Sequence, residues 1–242
     1  MSARRAPGGL PRVLEPETLD HLAPDDPRAV RSRRDLVRVN RAMGARRVLA
    51  QAIRRACPVF GVRPCRIVEI GCGDGLLMLE VARRMPAGAA SVELVLLDRQ
   101  PIVEPSTLAA YAQAGWTART RTADVTAWAD ESEPVDLVVA NLFLHHFDAA
   151  TLAALLAAVA RRGAALATVE PRRSRFALLF AHLVAFLGAN DVTRRDAVLS
   201  VRAGFRGAEL ASLWPTPEPR RYRLDEREAV PFSHVFTARP LP

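Results

Sequence analysis

From residue 66 onward the sequence alternates short apolar runs with longer amphipathic stretches, and that alternation predicts strands followed by helices. Residues 66–70 form an apolar run that ends in a glycine cluster, and residues 76–85 read as an apolar helix. Further strands are predicted at 92–97, 118–122, 135–140 and 164–169, with helices at 106–114 and 149–161. Strands this short and this apolar belong to a sheet covered on both faces, and connections of helical length make its pairing parallel. The pattern therefore predicts a doubly wound α/β domain over residues 61–242.

Both flanks depart from this rhythm. Residues 1–24 are rich in Pro, Arg and Gly without a sustained period, so they are expected to wander over the surface. Asp25-Asp26-Pro27 then looks like a helix start, with a carboxylate cap and a proline whose missing N–H is not needed in the first turn. Val30, Val37 and Met43 mark one side of that helix, and Val48, Leu49, Ala52, Ile53 and Ala56 stripe a second. Residues 1–60 are read as an extension with a helical cap, serving as lid or brace. Beyond residue 170, the stretch 175–187 is apolar nearly all round and 188–204 is mixed, so 175–204 is read as a helical insertion. A helix at 207–213 and final strands at 221–225 and 232–238 complete the pattern.

Charge alters this picture only a little. The chain of 242 residues carries a net charge of +8, and all 34 of its basic residues are arginine. Such a charge suits nucleic acid or an anionic surface. The arginines are dispersed in small groups, however, and no basic tract alternates with stacking aromatics, so nucleic acid is disfavoured. Cys57, Cys65 and Cys72 show neither paired metal spacing nor a disulfide framework, and no metal is implied. The N-terminus lacks the apolar core of a signal peptide. Residues 176–189, the most apolar run, contain His182 and fall short of the roughly 20 residues that span a bilayer. The sequence reads as a soluble, cytoplasmic protein, with a homodimer possible.

The densest chemistry is Glu69-Ile70-Gly71-Cys72-Gly73-Asp74-Gly75, at a predicted strand-to-helix turn. Glycines there permit positive φ and let a ligand approach bare backbone. The third glycine follows the second by two residues instead of three, which departs from the dinucleotide fingerprint. The stretch resembles motif I of the class I S-adenosylmethionine-dependent methyltransferases, an acidic residue followed by G-x-G-x-G. That resemblance covers about residues 64–170. It implies a Rossmann-like, doubly wound, mostly parallel seven-stranded sheet and S-adenosyl-L-methionine as cofactor. It assigns Glu69 to the amino acid end of the donor. Asp98, ending the second strand, stands where an acceptor for ribose hydroxyls is wanted, and Asp124 resembles the acidic position that meets the adenine amino group. Gly71, Cys72, Gly73, Gly75, Arg99, Val125 and Asn141 complete the implied cofactor set.

Residues 136–147, ending in Asn141-Leu142-Phe143-Leu144-His145-His146-Phe147, resemble the fourth-strand segment of small-molecule methyltransferases. No Pro-Pro-Tyr follows Asn141, unlike in enzymes that methylate base amines. His146 and His145 are the candidates for a general base that removes a proton from a phenol or enol acceptor. Phe176, Leu179, Phe180, Leu183, Val184 and Phe186 are expected either to roof an apolar cavity beside the sulfonium or to pack in a core or dimer contact. Glu170-Pro171-Arg172-Arg173-Ser174 resembles a segment of methyltransferases from bacterial aromatic polyketide or phenolic-lipid pathways, with Arg172 or Arg173 a candidate for binding an acidic group. The expected function is methyl transfer to oxygen or carbon of a small aromatic or apolar metabolite in secondary metabolism. The alternatives are an RNA or protein methyltransferase and a non-catalytic cofactor-binding scaffold.

Overall fold

The computed structural model describes residues 9–60, 62–85, 91–215, 222–229 and 231–241. Residues 1–8 of the expected surface segment, and residue 221 of the strand expected at 221–225, lie outside the described residues. Helix α1 (Pro27–Ala42) starts where Asp26 accepts the Arg28 amide at 2.8 Å and Pro27 opens the first turn. Helix α2 (Ala45–Ala56) buries the stripe Leu49, Ala52, Ile53 and Ala56 against the sheet.

The alternating part of the chain runs β1 (Cys65–Ile70), α3 (Leu76–Ala82), β2 (Val92–Asp98), α4 (Pro105–Gln113), β3 (Trp116–Thr122), α5 (Val125–Ala129), β4 (Leu137–Asn141), α6 (Ala149–Arg161) and β5 (Ala165–Pro171). Two helices, α7 (Arg175–Leu183) and α8 (Asp191–Ala203), precede the hairpin β6 (Tyr222–Ala229) and β7 (Ser233–Pro240). The seven strands are ordered β3-β2-β1-β4-β5-β7-β6. β1 to β5 pair in parallel, and β7 runs antiparallel to both β5 and β6.

Alternation along the central strands divides the core. Ile67, Leu94, Leu137 and Val139 join Leu49 and Ile53 on one face, while Val68, Ile70, Leu97 and Val138 join Leu152, Leu156 and Phe236 on the other. The helix α2, read from sequence as part of a cap, thus lies in a covering layer of the sheet itself. After β3 the chain crosses back to place β4 on the other side of β1. That reversal opens a crevice at the carboxyl ends of β1, β2 and β4, where open α/β sheets bind ligands.

Three expectations need correction. Residues 9–22 do not wander: they form a strap hydrogen-bonded along α8 and to the turn that follows β4. Val13 donates its amide to Arg202 O at 3.2 Å, and the amides of Thr18 and Leu19 donate to Asp196, each at 2.9 Å. The helix expected at 207–213 is a turn followed by a single 3-10 turn, Ala211–Leu213. The Glu226 carboxylate on β6 takes the amides of Leu210 and Ala211 at 3.0 and 2.7 Å, a demand that a continuing helix would not meet. Finally, α7 is not buried all round. Ala177 and Ala181 face the interior, whereas Phe176, Leu179, Leu183 and, just past the helix, Phe186 are exposed. No helix among the described residues is long and apolar enough to cross a membrane.

Candidate active site

The crevice is a cavity of about 690 Å³ at the switch point of the sheet. Of the expected cofactor set, Glu69, Gly71, Cys72, Gly73, Asp98, Arg99, Asp124, Val125 and Asn141 all line it. Gly75 does not. It caps α3 with φ +71°, and its carbonyl accepts the Tyr111 hydroxyl at 2.7 Å.

The glycine loop is shaped by two different constraints. A Cβ on Gly71 would fall 2.1 Å from the Phe143 ring, so this position is closed by protein. A Cβ on Gly73, at φ +57°, would meet no heavy atom within 4 Å, so its backbone is bare toward the cleft. Asp98 fixes the loop from the end of β2: its Oδ2 accepts the Gly73 amide at 2.8 Å and its Oδ1 the Gln100 amide at 2.9 Å.

Three buried oxygens on the cleft wall, Asn40 Oδ1, Glu69 Oε2 and Asn141 Oδ1, have no hydrogen-bond partner. Burial pushes the Glu69 carboxyl well above its ordinary range, and the neighbouring Asp74 and Asp98 push it further the same way. An orphaned buried carboxylate oxygen carries a large desolvation penalty until a donor or cation reaches it. Asp124 caps α5 through Oδ1, which accepts the Thr126 amide at 2.8 Å and its hydroxyl at 2.6 Å. Those hydrogen bonds keep its carboxyl low. Beyond Asn141, Leu142 holds φ +51°, alone among the described non-glycine residues in that region. Its amide donates to Val169 O at 2.8 Å, turning the chain sharply into the histidine pair.

At the other end of the cleft, the strap meets those histidines. His145 is buried; its Nδ1 lies 2.9 Å from Glu170 Oε2 and its Nε2 3.2 Å from Glu17 Oε1. Glu170, fully buried at the end of β5, also accepts the amides of Phe143, Leu144 and His145 at 3.2, 2.9 and 3.3 Å. Glu17 receives the Ser200 hydroxyl. Burial alone would lower the His145 pKa, but the two carboxylates outweigh it and push it up to about 9. His146 moves the other way, lowered by burial and by its charged neighbour, with Nδ1 3.3 Å from Asp20 Oδ2. Arg12 pins the arrangement by donating to the carbonyls of Ala203, His145 and Phe147 at 2.7, 3.1 and 2.9 Å.

These contacts revise several sequence expectations. Both His145 nitrogens face carboxylates, so this residue has no nitrogen free to serve as a base; only His146 retains that possibility. The apolar residues of α7 and its extension do not roof the cleft, whose histidine end is walled by strap residues such as Leu14 and Leu19 and by Leu36 and Val37 of α1. Neither Arg172 nor Arg173 lines it. Arg172 pairs with Glu228 at 2.5 Å, and Arg173 is buried, holding Glu209 and the carbonyl of Leu10 at 2.9 Å. Sequence reasoning missed Glu17, Asp20, Ser200 and Asp196. Glu170 was noticed only within a longer likeness, although a carboxylate at a strand's end beside a histidine pair was the available signal.

Residues 67–163 match the methyltransferase domain family. No curated protein matches the sequence. Among solved structures, the plantazolicin methyltransferase BpumL in complex with SAH is similar at 13% identity with a TM-score of 0.60, over 89% of this chain and 91% of that one. An O-methyltransferase family protein from Burkholderia thailandensis is similar at 16% identity and a TM-score of 0.55, over 91% of this chain and 61% of its own. The pyocyanin biosynthetic protein PhzM is similar at 14% identity and a TM-score of 0.55, over 90% of this chain and 60% of its own. The chain therefore spans about three fifths of those last two. At these identities, what is shared is the fold.

Proposed function

We propose, from the premise that residues 67–163 are a methyltransferase domain of the class I S-adenosylmethionine-dependent kind, that the chain methylates an oxygen or carbon of a small aromatic or apolar metabolite. The observation that carries this reading is the unpartnered Glu69 Oε2 beside the bare Gly73 backbone. A cationic amino group satisfies the first, and a flat ligand lying close to the chain uses the second. The residues present thus fit S-adenosylmethionine: Glu69 would hold its ammonium, Asp98 its ribose hydroxyls, and Asp124 and Val125 the adenine end. When bound, it supplies an electrophilic methyl group on a cationic sulfur.

The chain's own contribution is electrostatic and geometric. Glu69, Asp74, Asp98 and Asp124 line a cavity whose wall also carries Arg33, Arg41, Arg46, Arg47 and Arg99, so a cationic donor is favoured locally, at the carboxylates, over its neutral product. Holding donor and acceptor in line is itself worth up to about 7–11 kcal/mol in favourable cases. The acceptor end combines apolar walls with the polar notch of Glu17, Asp20, His145 and His146, and the notch receives the acceptor's proton. A strap over that end suits a small acceptor better than RNA or a folded protein. Three buried thiols suit the cytoplasm, and the apolar acceptor end suits secondary metabolism.

Calorimetry with S-adenosylmethionine on the full chain and on Glu69→Gln tests the reading. Binding by the parent, weakened tenfold or more in the variant, is expected; no binding by the parent overturns it. Transfer of labelled methyl to a panel of phenolic polyketides then identifies the acceptor class.

A further inference from the structure

We propose that Glu17, His145 and His146 form a binding site for a divalent transition-metal ion of the zinc type, at the acceptor end of the cleft. One ligand atom from each lies within 4.8 Å of the other two. His145 Nε2 and Glu17 Oε1 stand 3.2 Å apart. Two ligands each about 2.0–2.1 Å from a tetrahedral zinc ion stand about 3.4 Å apart, so an ion enters between them with little movement.

The groups behind the ligands are arranged as metal sites require. Ligating histidines donate their other ring N–H to a carboxylate or carbonyl, which fixes tautomer and ring plane. His145 does this toward Glu170 Oε2 at 2.9 Å, and its Nε2, which faces Glu17 in the unliganded chain, becomes a ligand when the ion displaces its proton. Glu170 is in turn held by three backbone amides and by the Thr168 hydroxyl at 3.0 Å. Ser200 orients Glu17, and Asp20 stands at 3.3 Å from His146 Nδ1. A simple ion pair between Glu17 and His145 accounts for two members of the group. It does not account for a second imidazole, its centroid 4.2 Å from the first and one of its nitrogens within 4.8 Å of the other two ligand atoms.

Two histidines and one glutamate leave a fourth position open, as in catalytic sites and unlike closed structural ones. All three line the cleft, so the fourth position faces the acceptor. An ion there would polarise an acceptor hydroxyl and ease loss of its proton. This use of the ion rests on the methyltransferase reading, whereas its binding does not.

The test uses the untagged full chain, stripped with chelator and titrated with Co²⁺ and Zn²⁺, reading the visible absorption of four-coordinate cobalt and the heat of zinc binding. A single equivalent is expected, with the cobalt band lost in His146→Ala and in Glu17→Gln. Glu170→Gln should keep the band but weaken zinc binding 10- to 100-fold. Thermal unfolding and S-adenosylmethionine calorimetry on each variant establish that it is folded. Absence of a cobalt band in the parent, or an equal band in folded His146→Ala, overturns the proposal. Donor binding without zinc binding sinks the metal site alone, and zinc binding without donor binding sinks the methyltransferase reading alone.

Discussion

Asp98 and Gly73 are joined across the mouth of the sheet: the aspartate's Oδ2 accepts the glycine's amide at 2.8 Å, tying the end of β2 to the loop after β1. The carboxylate thereby does two jobs, holding the loop and offering its remaining lone pairs to a ligand. Asp98→Ala should weaken S-adenosylmethionine binding at least tenfold in calorimetry. A hydrogen bond to a charged group is worth about 1.5–3 kcal/mol, and about 1.4 kcal/mol is a factor of ten. Unchanged affinity would mean that the donor's ribose lies elsewhere.

Gly71 and Gly73 should fail in opposite ways. Gly71→Ala drives a Cβ to 2.1 Å from the Phe143 ring, an overpacking that should destabilise the fold by about 1–3 kcal/mol in urea unfolding. Adding Phe143→Ala should recover part of that loss, because the two sites share one volume. Gly73→Ala meets open space and should lose only about 1–2 kcal/mol, from its left-handed backbone. Donor binding, by contrast, should vanish in Gly73→Ala. A variant that binds normally would refute close approach at this residue.

The Glu69 carboxyl sets a pH dependence of defined sign. Its folded pKa is raised above the ordinary value of 4.5 by burial first and by Asp74 and Asp98 second. A raised carboxyl binds more protons folded than unfolded, so its contribution to stability is present below 4.5 and is lost as pH rises through the folded value. Urea midpoints of the unliganded chain should therefore decline over that rise, and Glu69→Gln should flatten the slope. Donor affinity should climb over the same range, since a cation prefers the carboxylate. A parent and variant with parallel profiles would remove Glu69 from the site.

Arg12 ties the strap to three carbonyls and lies 4.7 Å from the Phe205 ring centroid. Arg12→Ala should raise hydrogen exchange across residues 13–22 and lower stability by about 1–3 kcal/mol, leaving the sheet's exchange unchanged. Unaltered exchange in the strap would show that Glu17 and Asp196 hold it unaided.

Local patterns made the sheet and the glycine-loop half of the cleft legible. The run from Arg66 to Ile70, the glycines after it and the acids ending β2 and β3 are all contiguous signals, and the structure brings Glu69, Gly73, Asp98 and Asp124 to one cavity. The histidine half was not legible, because its pairs are separated by long stretches of chain. Glu17 meets His145 across 128 positions, and Asp196 meets Thr18 across 178. No spacing rule reaches that far, which is also why no metal-ligand pattern stood out. The α7 stretch misled for a different reason: its apolar composition resembles that of a buried helix, while only Ala177 and Ala181 are buried and Phe176, Leu179 and Leu183 stay exposed.

The strap's anchors impose an order on folding. It leaves the ribosome before any of its partners, yet Asp196, Ser200 and Ala203 all belong to α8, late in the chain. Its docking closes a loop of well over a hundred residues, an entropic demand met only once β4, β5 and α8 are already assembled. The wall of the cleft that the strap supplies is therefore held by contacts between early and late parts of the chain, so a change in α8 reaches the histidine pair through Glu17 and Arg12.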